Sequence, residues 1–299
     1  MTISTITTNP GRLIRFITAL ALISTLQACS EPGNIEETTP RKFDYKVGAV
    51  DWPKCTNPRP ATSDKGTEIP ATGKKFKTKG GIEFYVKVPE NYKPTIKHPL
   101  LILYAPGGQS AAKTDRYYKI SAAATARGFI VVSADDKRPS IEGLEDLGSI
   151  PDQVSKSFCI NKKRIFATGH SNGGLVSNAV AFLPKLHEKF TAIAPSAGGI
   201  RKQDIEKYKC PAPLPVMVLH NKNDSYFPGP EHGLGVAEYW AKCNGCDAVP
   251  VKTNIKACTK YPNCKSGVAT LFCEGEGGHS KWPDMNTEIL DFLTSSSGK

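Results

Sequence analysis

At 299 residues, with 39% apolar and 22% charged side chains, the chain can bury a substantial core and is not a wholly disordered polymer. Its formal charge of +11 comes from lysines scattered through the sequence, which describes a solvated basic surface with some attraction for anionic lipid or acidic polysaccharide. No helix-turn-helix, zinc-finger or arginine-rich pattern is visible, so nucleic acid is not an expected partner.

The N-terminus carries a targeting pattern. Arg12 and Arg15 precede "FITALALISTL", too short to span a bilayer but suited to a signal-peptide core. It runs into "LQACS", which resembles the bacterial lipoprotein signal, where a small residue precedes a cysteine that is lipidated after cleavage, here Cys29. Residues 1–28 therefore read as a lipoprotein signal peptide, 29–50 as a tether, and 51–299 as one catalytic-size domain. The expected location is outside the cytoplasm, anchored to a membrane through the N-terminal lipid and facing the periplasm or exterior.

Export changes how the other eight cysteines read: Cys55, Cys159, Cys210, Cys243, Cys246, Cys258, Cys264 and Cys273. An even set in an oxidising compartment favours disulfides, although eight cysteines allow about a hundred pairings and the sequence does not choose among them. "CNGC" at 243–246 could open a zinc site with Cys258 and Cys264, but their irregular spacing lacks a second paired motif. No metal is expected.

From residue 80 onward, strands and helices alternate. "GIEFYVKVP" alternates apolar and polar residues like a half-exposed strand, whereas "PLLILYAP" and "GFIVVSAD" are apolar runs suited to strands covered on both faces. Between those two, "DRYYKISAAATARG" predicts one helix ending in glycine. "RIFATG" predicts a strand and "GGLVSNAVAFLP" a helix closed by Pro184. Strands at "FTAIAPSAG", "PVMVLHNKND" and "GVATLFC" follow, with helices near "GVAEYWAKC" and "DMNTEILDFLTS". This order predicts an α/β fold, a mostly parallel doubly wound sheet with helices on both faces.

One segment carries chemistry. "FATGHSNGGL", residues 166–175, puts Ser171 between glycines at a strand-to-helix turn. A turn that sharp needs positions two before and two after the serine to lack a Cβ, and it lifts the hydroxyl to a helix N-terminus that favours negative charge. Partners follow in the order serine, acid, histidine. Asp224 lies in the turn after the apolar run "PVMVLHN", and His279 lies in the glycine-rich "EGEGGHSKWP". His279 would act as base on Ser171, with Asp224 fixing its tautomer. The oxyanion donors expected are the backbone N–H groups of Asn172 and of Gly107 in "LLILYAPGGQS", and the Asn172 side chain is then free to vary. His170 should point away from the hydroxyl, and His220 should support a turn. His98, His187 and His232 have surface or loop contexts; Glu231 and Asp247 do not follow a buried strand.

"GHSNGG", "HNKND" and "GGHSKWP" resemble the signatures of the exported feruloyl esterase and polyhydroxybutyrate depolymerase-like family of carbohydrate esterases, over roughly residues 75–299. The resemblance implies an α/β-hydrolase fold, no cofactor, and hydrolysis of carboxylic esters, often hydroxycinnamoyl or acetyl groups on plant polysaccharide. By matching motifs it makes Ser171, Asp224 and His279 the triad. Two departures stand out. Ala105 and Pro106 occupy positions where the family has histidine and glycine, and "HSKWP" has one residue more than the family's His-Thr-Trp-Pro, which would shift Trp282. The expected protein is a membrane-tethered serine esterase acting through an acyl-enzyme on feruloyl or related esters. The alternatives are a polyester depolymerase and a non-catalytic ligand-binding lipoprotein. Loops "DDKRPSIEGLED" and "DSYFPGPEHG" should rim the cleft.

Overall fold

In a computed structural model of the chain, the structure describes residues 52–56 and 73–296, all within one compact unit, Ile35–Lys299. The signal segment, Cys29 and the tether at 29–50 lie outside the described residues.

Among the described residues, ten strands form one sheet. Strands β1 (Lys74–Lys77) and β2 (Glu83–Lys87) make an antiparallel ribbon at one edge. The centre holds β3 (His98–Tyr104), β4 (Ile130–Ala134), β5 (Ile160–His170), β6 (Ala192–Ser196) and β7 (Val216–Asn221). Short β8 (Val251–Lys252) and β9 (Cys258–Tyr261) close the other edge, antiparallel beside β10 (Thr270–Gly275). The order is β1-β2-β4-β3-β5-β6-β7-β10-β9-β8, with every neighbouring pair from β4 to β10 parallel. The chain steps outward from β3 to β4 and then returns to place β5 on the other side of β3. That reversal makes a topological switch point, and the crevice above the carboxyl ends of β3 and β5 is where such sheets hold ligands.

The apolar runs explain the sheet's two covered faces. Every residue of β3 is buried, and alternate side chains enter different cores. Leu100 and Ile102 join one cluster with helices α3 (Ile141–Leu147), α4 (Ile150–Ser157), α5 (Asn172–Phe182) and α7 (Gly235–Cys243), with α6 (Lys202–Ile205) beside α7. Leu101 and Leu103 join the other, under α1 (Ala111–Tyr118), α2 (Ser121–Thr125) and α8 (Asn286–Ser295). The doubly wound architecture expected from the alternation is present.

Local departures have local causes. The single helix expected over "DRYYKISAAATARG" is two, α1 and α2, broken where Lys119 takes φ 50° and returns its N–H to the Asp115 carbonyl. A buried carboxylate spans this break: Asp115 accepts from the Lys87 ammonium at 2.5 Å and from the Ser121 hydroxyl. Those partners are distant in sequence or beyond the break, so helical composition alone does not reveal it. Strands β1, β8 and β9 and helices α3, α4 and α6, each of eight residues or fewer, were not expected. His98, expected on a surface or loop, is fully buried at the start of β3. Its ring nitrogens lie 2.9 Å from the Gly128 carbonyl and 3.1 Å from the Lys93 carbonyl.

All eight cysteines of the described residues pair, as Cys55–Cys159, Cys210–Cys243, Cys246–Cys264 and Cys258–Cys273. "CNGC" is thus split between two disulfides, and no cluster of metal-ligating side chains occurs among the described residues. Cys258 and Cys273 face each other in the β9–β10 register, so that bridge ties the edge ribbon to the strand leading into the His279 loop.

Candidate active site

Because the central strands are parallel, the loops that follow them share one edge of the sheet. Residue 105 follows β3, Asp136 lies just beyond β4, and Ser171 follows β5; Asp224 and His279 lie beyond β7 and β10. Five segments spread over more than a hundred positions are thereby delivered to one crevice.

Ser171 makes the β5–α5 turn alone, at φ 57° and ψ −116°, a conformation unfavourable for a residue with a side chain. Its N–H is held by the Ser196 carbonyl at 3.0 Å. A Cβ at Gly169 would strike the Gly173 carbonyl, and one at Gly173 would strike the Tyr104 carbonyl at the end of β3. The need for glycine two positions before and after the serine is therefore steric. Gly174, which the motif does not require, is equally confined against the Ser196 carbonyl. Gly173→Ala should force backbone against backbone and cost at least about 1–3 kcal/mol, the usual range for overpacking. Thermal melting would show this as a lowered midpoint; an unchanged one would mean the turn relaxes freely.

The three expected side chains meet. His279 Nε2 is 2.8 Å from Ser171 Oγ, and His279 Nδ1 is 2.8 Å from Asp224 Oδ2. Asp224 is buried and its other oxygen accepts the Tyr226 and Phe227 N–H groups at 3.0 and 2.9 Å. Burial works to raise its carboxyl, but bonds from His279 and the Phe227 N–H, with the nearby imidazoles, outweigh burial and hold it below its ordinary value of 3.8. An ionised carboxylate can only accept, so Nδ1 carries the hydrogen and Nε2 offers its lone pair to the serine hydroxyl. Such a series can take a proton from oxygen and stabilise the resulting cation.

The His279 loop is clamped from behind. Asn221 donates its amide to the Gly278 carbonyl at 2.9 Å and to the Lys281 carbonyl at 2.6 Å. The Tyr117 hydroxyl donates to the Ser280 carbonyl at 3.0 Å. His170 Nε2 donates to the His279 carbonyl at 2.5 Å, while Nδ1 faces the Ser196 hydroxyl at 3.0 Å. Burial pushes the His170 imidazole down to about 4, leaving it neutral near pH 7. As expected, His170 is turned away from the serine hydroxyl. Its hold on the base's own backbone is a function that the local sequence does not signal.

Among the other histidines, His220 donates Nε2–H to the Phe227 carbonyl at 2.8 Å and is depressed by burial, so it supports the turn as a neutral ring. His187 and His232 are half-buried, and Glu231 and Asp247 are exposed. Trp282 packs edge-on against Tyr118 and donates to Asn286 Oδ1 at 2.9 Å. Tyr226 is 77% exposed, its ring 5.2 Å from that of His279, and Phe227 lies edge-on to the same imidazole at 4.8 Å. "DSYFPGPEHG" therefore gives an aromatic rim beside the base.

Around the loop after β3, Gly108 N–H goes to Asp136 Oδ2 at 2.8 Å and Gln109 N–H to the Pro106 carbonyl at 3.1 Å. Pro106 has no N–H to offer. Among the described residues, none takes the Gly107 N–H. The expectation that the Asn172 side chain is free to vary is corrected: its amide donates to the Asp136 carboxylate and, at 3.2 Å, to the Lys137 carbonyl.

Three comparisons bear on this arrangement. No protein-family profile matches the chain. It is 28% identical over 226 residues to feruloyl esterase B of Piromyces equi, covering 64% of this chain and 41% of that protein. It is 24% identical over 242 residues to feruloyl esterase C of Emericella nidulans, covering 73% of this chain and 86% of that one. The structure is similar to that of the acetyl xylan esterase from Aspergillus awamori, with a TM-score of 0.56 at 14% identity, covering 74% of this chain and 98% of that one. The chain therefore has the α/β-hydrolase fold, and it is similar in sequence to feruloyl esterases.

Proposed function

We propose that the chain is an exported serine esterase that removes feruloyl or related acyl groups from plant polysaccharide fragments through an acyl-enzyme. The observation that carries this is the unbroken hydrogen-bonded series Ser171–His279–Asp224 at the switch point of the sheet. Ser171 Oγ attacks the acyl carbon while its proton passes to His279 Nε2, and Asp224 stays ionised beside the imidazolium. The tetrahedral oxyanion is held by the Asn172 and Gly107 N–H groups at the positive end of α5. Collapse breaks the ester bond, and the departing alcohol takes the proton from Nε2. Water then attacks the acyl-serine with the same base, releasing the acid and restoring the hydroxyl. Side chains, backbone and water suffice for every step.

The substrate class is supported by the feruloyl esterase relatives and by Tyr226 and Phe227, whose rings offer apolar faces to an aromatic acyl group or a sugar ring. Export is supported by the "LQACS" pattern, with Cys29 as the lipid attachment point, and by four disulfides, which belong to an oxidising compartment.

The test is a fluorophosphonate probe followed by peptide mass mapping, with hydrolysis of methyl ferulate, acetylated xylan and a hydroxybutyrate oligomer measured in parallel. Stoichiometric labelling at Ser171 and preference for the ferulate are expected. Folded protein that takes no label would instead be a ligand-binding lipoprotein, and preference for the hydroxybutyrate oligomer would make it a polyester hydrolase.

A further inference from the structure

We propose that Asp136 is a positioning residue, its carboxylate tying the Pro106–Gln109 turn to the side chain of Asn172 and so fixing both oxyanion donors relative to Ser171; this rests on the serine esterase proposal above.

The turn cannot hold itself. Gln109 N–H closes it on the Pro106 carbonyl, and Gly108 takes φ 71°, the positive value that a type II turn requires at its third position. Its two central residues are both glycine, and a Cβ built on either would meet nothing within 4 Å. Both glycines are exposed and carry no side chain that could be packed, and glycine leaves the backbone the widest conformational freedom. Hydrogen bonds hold this turn and with it the direction of the Gly107 N–H.

Asp136 supplies them. Oδ2 accepts Gly108 N–H at 2.8 Å, and the Asp136 N–H donates to the Gln109 carbonyl at 2.8 Å. Oδ1 accepts the Asn172 amide, whose second contact is the Lys137 carbonyl at 3.2 Å. The neighbouring Asp135 Oδ1 takes Ala111 N–H at 2.5 Å and pins the start of α1, where the loop ends. One carboxylate thus bridges the loop after β3 and the first residue of α5, the two segments that carry the proposed donors. Both oxygens are taken by donors of the protein, so Asp136 acts through the segments it holds.

The test compares Asp136→Ala, Asn172→Asp and the exchange Asp136→Asn/Asn172→Asp with the parent in steady-state ester hydrolysis and thermal melting. Asp136→Ala should lower kcat roughly ten- to hundredfold, the scale expected when catalytic groups shift by about 1 Å, with KM changed less than about threefold. A residue needed only for folding would lower the melting point and leave kcat per folded molecule intact. Asn172→Asp sets two carboxylates against each other and should lose comparable activity. In the exchange, the amide introduced at 136 can accept Gly108 N–H and donate to the carboxylate introduced at 172, so kcat should recover above that of Asn172→Asp alone.

A kcat within twofold of the parent for Asp136→Ala, or an exchange variant no better than Asn172→Asp, overturns the proposal. Should Asp136→Ala not fold, the exchange comparison decides alone. Fluorophosphonate labelling of the parent separates the two proposals. A labelled, active parent with an indifferent Asp136 sinks only this one, whereas an unlabelled, inactive parent sinks both.

Discussion

Asp224→Asn should leave the protein folded and lower kcat by about four orders of magnitude, the loss seen when a triad acid is replaced by its amide. That loss corresponds to about 5.5 kcal/mol of transition-state stabilisation. The reason is visible in the partners of Asp224. Two N–H groups, from Tyr226 and Phe227, point at Oδ1, and a carboxamide in that position must turn its oxygen toward them. Its NH2 then faces His279 Nδ1, which must become an acceptor, so the ring hydrogen moves to Nε2. The nitrogen 2.8 Å from Ser171 Oγ would then donate rather than accept, and the hydroxyl would have no base. The measurement is kcat on methyl ferulate beside a thermal melt. Activity near that of the parent would place the acid elsewhere, although Glu231 and Asp247 are both exposed.

The stability of the domain should fall as pH drops from about 6.5 toward 4, and His170 should account for a large part of the fall. Burial among Tyr117, Trp282 and the His279 ring lowers its imidazole from 6.5 to about 4. The His279 carbonyl and Asp224 favour the cation, while the neighbouring His279 and His220 rings oppose it, and burial prevails. The sign follows from linkage. Between the two values the unfolded chain binds a proton that the folded chain refuses, so stability is full above 6.5 and is lost on acidification. Across that window the loss is on the order of 3 kcal/mol at 1.36 kcal/mol per pKa unit. His220 is depressed in the same direction and adds to the slope. Glutamine at 170 can still donate to the His279 carbonyl but does not titrate. Denaturant midpoints for the parent and His170→Gln, taken at about pH 4.5 and pH 7, should therefore show a flatter pH dependence in the variant. Equal slopes would rule out the His170 ring as the source.

The central sheet was legible because burial on both faces leaves continuous apolar runs, as in "LLILY" and "VMVLH". The edge elements were not. "KKFK" becomes a strand because β2 offers it a partner, and its own pattern gives no warning. The break at Lys119 is similarly hidden, since the buried Lys87–Asp115 pair beside it joins segments far apart in the chain. The site divides in the same way. Ser171, Asp224 and His279 stand in recognisable turns in a recognisable order, so short segments announce them. His170, Asn221 and Asp136 act by grasping the backbone of loops that lie close only after the strands have paired. A hydrogen bond to a distant carbonyl leaves no trace in the residues around the donor.

By itself, then, the amino-acid order determined the alternation of strand and helix, the glycines that permit the turn at Ser171, and the three residue types able to pass a proton in series. Each of these depends on neighbours within a few positions, where side-chain period and backbone sterics act directly. Tertiary structure alone decided the four disulfide pairings, the burial of His98, the neutral state of His170 and the use of the Asn172 side chain. Those properties depend on distances between remote segments and on exclusion of water, which arise only when the parallel strands bring their carboxyl ends to one edge.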